Sequence, residues 1–169
     1  MKTIVLTLPI FLFCCESCQQ HGISKRQAFD ILKKDLKYPK DLGYNIYLND
    51  PEETQKLKNS LLETEGFIQI SPSKTVNFTQ KAEPYKLSPQ GTKFTTPNQR
   101  VKTGEDDLEG VQGIILQNDN KVALVDYTTK HVRLTPFGQW LGIDSNKPAH
   151  HRAMLSLYDD GWRVQGEPQ

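Results

Sequence analysis

Past Cys18 the chain contains no cysteine. No disulfide can staple the domain, so its stability must come from its core. Nor is there a run of about 20 apolar residues, the length a helix needs to cross a bilayer. An excess of one charge is missing as well: 21 basic against 20 acidic side chains leave a net +1. That balance supplies no strong pull toward nucleic acid or an anionic surface. The sequence holds no G-x-S-x-G nucleophile elbow, no phosphate-binding glycine loop and no H-E-x-x-H. These gaps exclude the enzymes recognisable by motif, and an enzyme remains only if its site is assembled from scattered residues. No cofactor and no metal are expected.

What is present begins with MKTIVLTLPIFLFCCESCQQHG. Lys2 gives a positive start, Ile4 to Phe13 is an almost purely apolar run, and the chain turns polar at Glu16. Such a run fits the core of a secretory signal, and Pro9 in its middle argues against a buried core helix. All three cysteines, Cys14, Cys15 and Cys18, lie at its end.

Here the chain resembles a bacterial lipoprotein signal, in which a short apolar stretch ends in Leu, two small residues and a cysteine that is lipidated. The resemblance covers Met1 to about Gln20. Against Cys15, Leu12 has the right offset and Cys14 is small, although Phe13 is bulkier than the pattern. Against Cys14, Phe13 would flank the cleavage point, and against Cys18 the charge of Glu16 falls inside the motif. The resemblance implies that residues 1–14 are a signal peptide, that Cys15 carries the acyl lipid, and that 15–23 form a tether. It further implies an envelope location facing periplasm or exterior, anchored to a membrane through lipid, with an envelope protein as candidate partner and no nucleic acid. An ordinary secretory leader is one alternative. A C-x-x-C half-site at Cys15 and Cys18 is another, though no second pair exists to complete a zinc site and a leader is not the strand-to-helix setting of a redox pair.

From Ser24 to Lys37 the spacing predicts a helix. Ser24 and Gln27 form a capping-box pair, Phe29, Leu32 and Leu36 recur at helical intervals, and Pro39 stops it. A second helix is predicted over Asp50 to Gly66, with Asp50, Pro51 and Glu53 as cap, first-turn proline and reciprocal cap. Its buried stripe is Leu57, Leu61 and Leu62. Gly66 is its left-handed stop, with Phe67 folding back on Leu62. A short strand, Gly43 to Leu48, lies between the helices.

After Phe67 the period shifts toward 2. Phe67 to Ile70 and Val76 to Phe78 suggest strands around a Ser71-Pro72-Ser73 turn. The polar stretch Thr95 to Gly110, with Pro97, Gly104 and the acids Glu105 to Asp107, is expected to be a linker or long loop. Val111 to Gln117 and Lys121 to Leu134 predict a hairpin around Asn118-Asp119-Asn120. Along its second strand Ala123, Val125 and Tyr127 share one face while Val132 and Leu134 share the other. One core cannot use both sets in a regular strand, so a bulge or break is expected between Thr128 and His131. A last hairpin, Ala153 to Val164, should turn at Asp160-Gly161 and set Leu157 opposite Val164.

Two stretches, LSPQG from Leu87 and LTPFG from Leu134, repeat a pattern. Local turn chemistry explains both without a duplication. The segment Asp50 to Gly91 resembles the end of a winged-helix domain, which would imply a cytoplasmic nucleic-acid-binding regulator. Yet its helix carries Glu52, Glu53, Glu63 and Glu65 against Lys56 and Lys58, the wrong sign for phosphate contacts. His150 and His151 are expected in a solvated loop, and His131 as a half-exposed strand residue. Phe137 and Trp140 form the most notable apolar pair, destined for the core or for an aromatic anchor to a partner, core being preferred.

The expected product is an α+β domain over 24–169, with 24–97 and 108–169 open to being subdomains joined by the polar loop. Two N-terminal helices would pack on a twisted, mainly antiparallel sheet ending in a C-terminal meander, with a cystatin-like or NTF2-like sheet compatible. Function is expected to be non-catalytic binding or envelope structure.

Overall fold

The computed structural model describes residues 22–88 and 97–165. The leader with Cys14, Cys15 and Cys18, the Pro-Gln-Gly of the first repeat unit, and Thr95 and Thr96 all lie outside them. Helices α1 (Lys25–Asp35), α2 (Pro51–Leu57), α3 (Leu61–Thr64) and α4 (Pro136–Trp140) accompany a mainly antiparallel sheet. The chain is therefore α+β. Strands β1 (Lys40–Tyr47), β4 (Asn98–Gln117), β5 (Val122–Val132), β6 (Ala149–Tyr158) and β7 (Gly161–Val164) form one sheet in the order β1-β4-β5-β6-β7. A second, two-stranded sheet pairs β2 (Ile68–Ile70) with β3 (Val76–Phe78).

Helix α1 starts as its sequence demands. Ser24 accepts from the Gln27 N–H, and the Gln27 side chain returns to the Ser24 N–H at 2.9 Å, closing a capping box. Its buried stripe is Ala28 and Leu32. The second predicted helix is in fact two. Asn59 takes a left-handed φ of 58° and Ser60 caps Glu63, so the helix ends at Leu57 and restarts at Leu61. The signal for the restart is Ser60-Leu-Leu-Glu63, a second capping-box spacing. Because the restart rotates the stripe, Leu61 is 45% exposed instead of buried. Glu53 also departs from expectation. Its N–H donates to Asp50 at 2.8 Å, but its carboxylate accepts from the Tyr44 hydroxyl at 3.3 Å and not from the cap. Gly66 does stop α3, at φ 76°, and the Phe67 N–H closes on the Leu62 carbonyl at 2.8 Å.

The largest correction concerns the predicted linker. From Asn98 onward that segment is the first half of β4, which pairs with β1 on one side and β5 on the other. Its acids face bases across short gaps. Glu105 meets Lys102 at 2.7 Å and also Arg133, Asp107 meets Lys33 at 3.6 Å, and Asp106 meets His131 at 3.7 Å. Three unpaired extra residues bend this strand: Thr103 between the partners of Leu42 and Gly43, Glu109 opposite Thr128 and Thr129, and Gln112 opposite Asp126 and Tyr127. A glycine follows each of them, at Gly104, Gly110 and Gly113. Bulges with adjacent glycine are how a long strand curls.

The bulges also relocate the expected irregularity. Alternation in β5 does fail, with Tyr127, Thr128 and Thr129 all buried in succession. The extra residues that cause it, however, sit opposite in β4, because a bulge in either strand re-phases the pair. The hairpin joining them turns at Asn118-Asp119-Asn120, all with positive φ. In the last hairpin the turn falls one residue earlier than predicted, which moves each partner by two: Leu157 faces Trp162 and Leu155 faces Val164. Asp159 and Asp160 form the turn, and only Gly161 needs a positive φ, at 124°.

Two hydrophobic clusters result. Ala28 and Leu32 of α1 meet Leu108, Val125, Tyr127 and Leu155 of the sheet in the first. In the second, Leu57 and Leu62 join Ile46, Ile68, Val101 and Phe137. The predicted helices thus serve different clusters. The second repeat unit is no turn: Thr135 caps α4 and Pro136 is its first residue.

Candidate functional site

Polar groups gather where β4 and β5 bend. Tyr38, just after α1, meets Tyr127 of β5 edge-on at 6.5 Å between ring centroids. His151 of β6 stacks on the other side of Tyr127 at 5.2 Å, and its Nε2 lies 3.1 Å from the Thr129 hydroxyl. Burial pushes both phenols above the ordinary tyrosine value; the approach of the two hydroxyls raises Tyr38 further and opposes the rise in Tyr127, and the Asp106 carboxylate adds a smaller upward push to each. Both therefore stay neutral O–H groups across the physiological range.

Three atoms of this cluster are buried without a hydrogen-bond partner: Tyr127 Oη, Asp106 Oδ1 and His131 Nδ1. The separation of 3.7 Å between the last two is too long for a hydrogen bond. An orphaned buried donor or acceptor costs about 1–3 kcal/mol, and such groups commonly hold an ordered water or a polar ligand atom. Tyr127→Phe removes the orphaned hydroxyl with little change of shape. Thermal unfolding of that variant is expected to give a midpoint equal to wild type or slightly higher. A fall equivalent to more than about 1 kcal/mol would mean that the neighbouring Tyr38 hydroxyl satisfies it.

Beside the cluster lies an open concavity of about 570 Å³ lined by Asp126, Tyr127, His150, His151 and Arg152. Arg152 grips Asp126 through Nε–Oδ1 at 2.7 Å and Nη2–Oδ2 at 3.2 Å, which holds the Asp126 carboxyl below the usual range. The histidine pair sits in β6 and not in the expected loop. Strand alternation sends His150 outward and His151 onto Tyr127. His131 is a strand residue with 31% of its side chain exposed. Sequence reading treated His131 and Asp106 separately; the missing signal was the β4–β5 register, which sets the two opposite each other.

The apolar pair separates. Phe137 is wholly buried, against Phe67, Phe78 and Tyr85 at 5.9–6.1 Å. Trp140 is half-buried and meets Tyr44 edge-on at 6.1 Å. No known protein family, no curated protein and no solved structure matches this chain.

Proposed function

We propose that this chain is an exported, lipid-anchored envelope protein that binds a partner and does not transform it. The observation that carries the reading is the leader: an apolar run from Ile4 to Phe13 with every cysteine of the chain at its end. Ordered packing supports it from the other side. Ile23 is buried in the first hydrophobic cluster and Ser24 already caps α1, so the packed domain takes in the last residue of the expected 15–23 tether. Among the described residues no helix is long and apolar enough to cross a membrane. The partner is an envelope protein, not nucleic acid: the would-be recognition helix is broken at Asn59 and net acidic. A cystatin-like or NTF2-like sheet is the finer fold reading, and it carries no activity with it.

Intact mass of the protein from its native host, with membrane fractionation, tests the anchor. Wild type is expected to lose its first 14 residues, gain acyl mass and sediment with membranes, while Cys15→Ser does none of the three. An unmodified full-length chain in the cytoplasm would sink the proposal and return attention to the winged-helix resemblance.

A second reading, an enzyme whose site is built from scattered residues, is favoured by the unpartnered Tyr127, Asp106 and His131. It requires that a ligand reach them through the concavity over His151.

A further inference from the structure

The turn after α1 and the start of β4 enclose a different concavity, open and about 710 Å³ in volume, whose lining includes Lys37, Pro39, Lys40, Asp41, Ser88 and Arg100. Three cations face one acid, and that acid is already engaged: Asp41 lies 2.6 Å from Lys102, which also holds Glu105. Lys37, Lys40 and Arg100 form no ion pair among the described residues. Arg100 is only half-exposed, so its guanidinium has lost part of its water and gained no counter-charge. Lys40 is steadied over the Tyr38 ring at 4.8 Å.

One position in this wall and one behind it go against their local preference, and both do so in favour of a cation. Lys37 follows the cap of α1 with φ 58°, in the turn closed by Tyr38 N–H to Lys33 carbonyl at 3.0 Å and Lys37 N–H to Lys34 carbonyl at 3.2 Å. Glycine is the ordinary occupant of that left-handed position, since it has no Cβ to strain. A lysine stands there instead. Gly43 is the converse, a glycine inside a strand, where a side chain would be more stable. A Cβ there would lie 2.7 Å from Arg100 Cζ and Nη2, so any larger residue would evict the guanidinium. The register shift beside Gly43 does not require it, because the extra residue, Thr103, is in β4. Departures from local preference of this kind concentrate where a chain keeps a function.

We propose that this concavity binds a phosphate group. Lys37, Lys40, Arg100 and Ser88, from different elements, line one concavity whose single acid, Asp41, is held by Lys102. That suits a tetrahedral anion with several acceptor oxygens. The phosphate is either free or part of a lipid headgroup, and the site stands whether or not the chain is lipid-anchored.

Isothermal titration of the full-length chain with inorganic phosphate and, separately, with glycerophosphoglycerol tests this. At least one probe is expected to bind saturably and more weakly as salt rises. Phosphate alone would identify a free anion, and glycerophosphoglycerol alone a headgroup. Arg100→Gln and Lys37→Gly should each weaken that binding about ten-fold, the effect of losing one charge-assisted hydrogen bond. Lys37→Gly should at the same time raise the unfolding midpoint by about 2–4 °C, because glycine relieves the left-handed backbone. Loss of affinity in a more stable protein cannot be blamed on misfolding. Saturable binding of neither probe, or binding unchanged in either variant, overturns the proposal.

Discussion

Gly138→Ala is expected to destabilise the domain by about 3 kcal/mol, a drop of roughly 6–12 °C in unfolding midpoint for a domain of this size. The expectation follows from how α4 is docked. Thr135 donates its N–H to the Thr103 carbonyl at 3.0 Å and its hydroxyl to the Lys102 carbonyl at 2.6 Å, pinning the first turn of α4 to the bulge in β4. Gly138, one turn on, lies against the same peptide. A methyl group there would sit 3.0 Å from the Thr103 carbonyl carbon and closer still to its oxygen. The obstacle is backbone, and β4 cannot retreat because it is paired on both sides. Gly66→Ala is the matched control. Gly66 has φ 76° but nothing within 4 Å of its missing Cβ, so it should lose only the left-handed term, about 1 kcal/mol. Urea unfolding of both variants decides the matter. Equal losses would mean that α4 does not press on β4 as described.

The contrast between these glycines bears on what could be read without coordinates. Gly66 was legible because its role is local: a helix end needs a left-handed residue, and the hydrophobic residue after it confirms the pattern. The capping box at Ser24 and the Asn118-Asp119-Asn120 turn were legible for the same reason. Gly138 was not, because its role depends on a strand 35 positions earlier in the chain. The same distance effect hid β4. Asn98 to Gly110 alternates poorly because Thr103 and Glu109 are extra residues, and its acids look solvated until their partners arrive from Lys33, His131 and Arg133. Glycine after an extra residue is the one local trace of the curl. It was visible in the sequence but could not be told from a loop signal.

The candidate sites follow the same division. Lys37 is only the last residue of the predicted helix, and its left-handed backbone emerges once Pro39 and the end of α1 fix the turn. Arg100 fell inside the supposed linker, so its place over Gly43 had no antecedent in pattern. Tyr127 was correctly put on the face of Val125, yet the missing partner of its hydroxyl is a property of three strands together. Periodicity finds which side chains are buried; it does not find which buried polar groups go unsatisfied.

Phe137→Ala is expected to cost about 3–5 kcal/mol, enough to bring a domain of ordinary stability close to unfolding. Phe137 has no exposed surface, and three aromatic rings close on it, so the space left by truncation could not collapse easily. Trp140, three residues on and in the same helix, should respond differently. It is half-buried, and its one aromatic neighbour among the described residues, Tyr44, is itself only partly covered. Trp140→Ala should therefore cost less than half as much by urea unfolding, roughly 1–2 kcal/mol for a side chain that gives up only part of its buried area. The pair then separates packing from recognition. A partner that engages this end of the molecule can reach the Trp140 ring but not Phe137, so a folded Trp140→Ala protein is the form in which to seek lost binding. Phe137→Ala would lose binding only by losing the fold. Should Phe137→Ala prove as stable as wild type, the second hydrophobic cluster is wrongly described, and Phe137 would regain its claim as a contact surface.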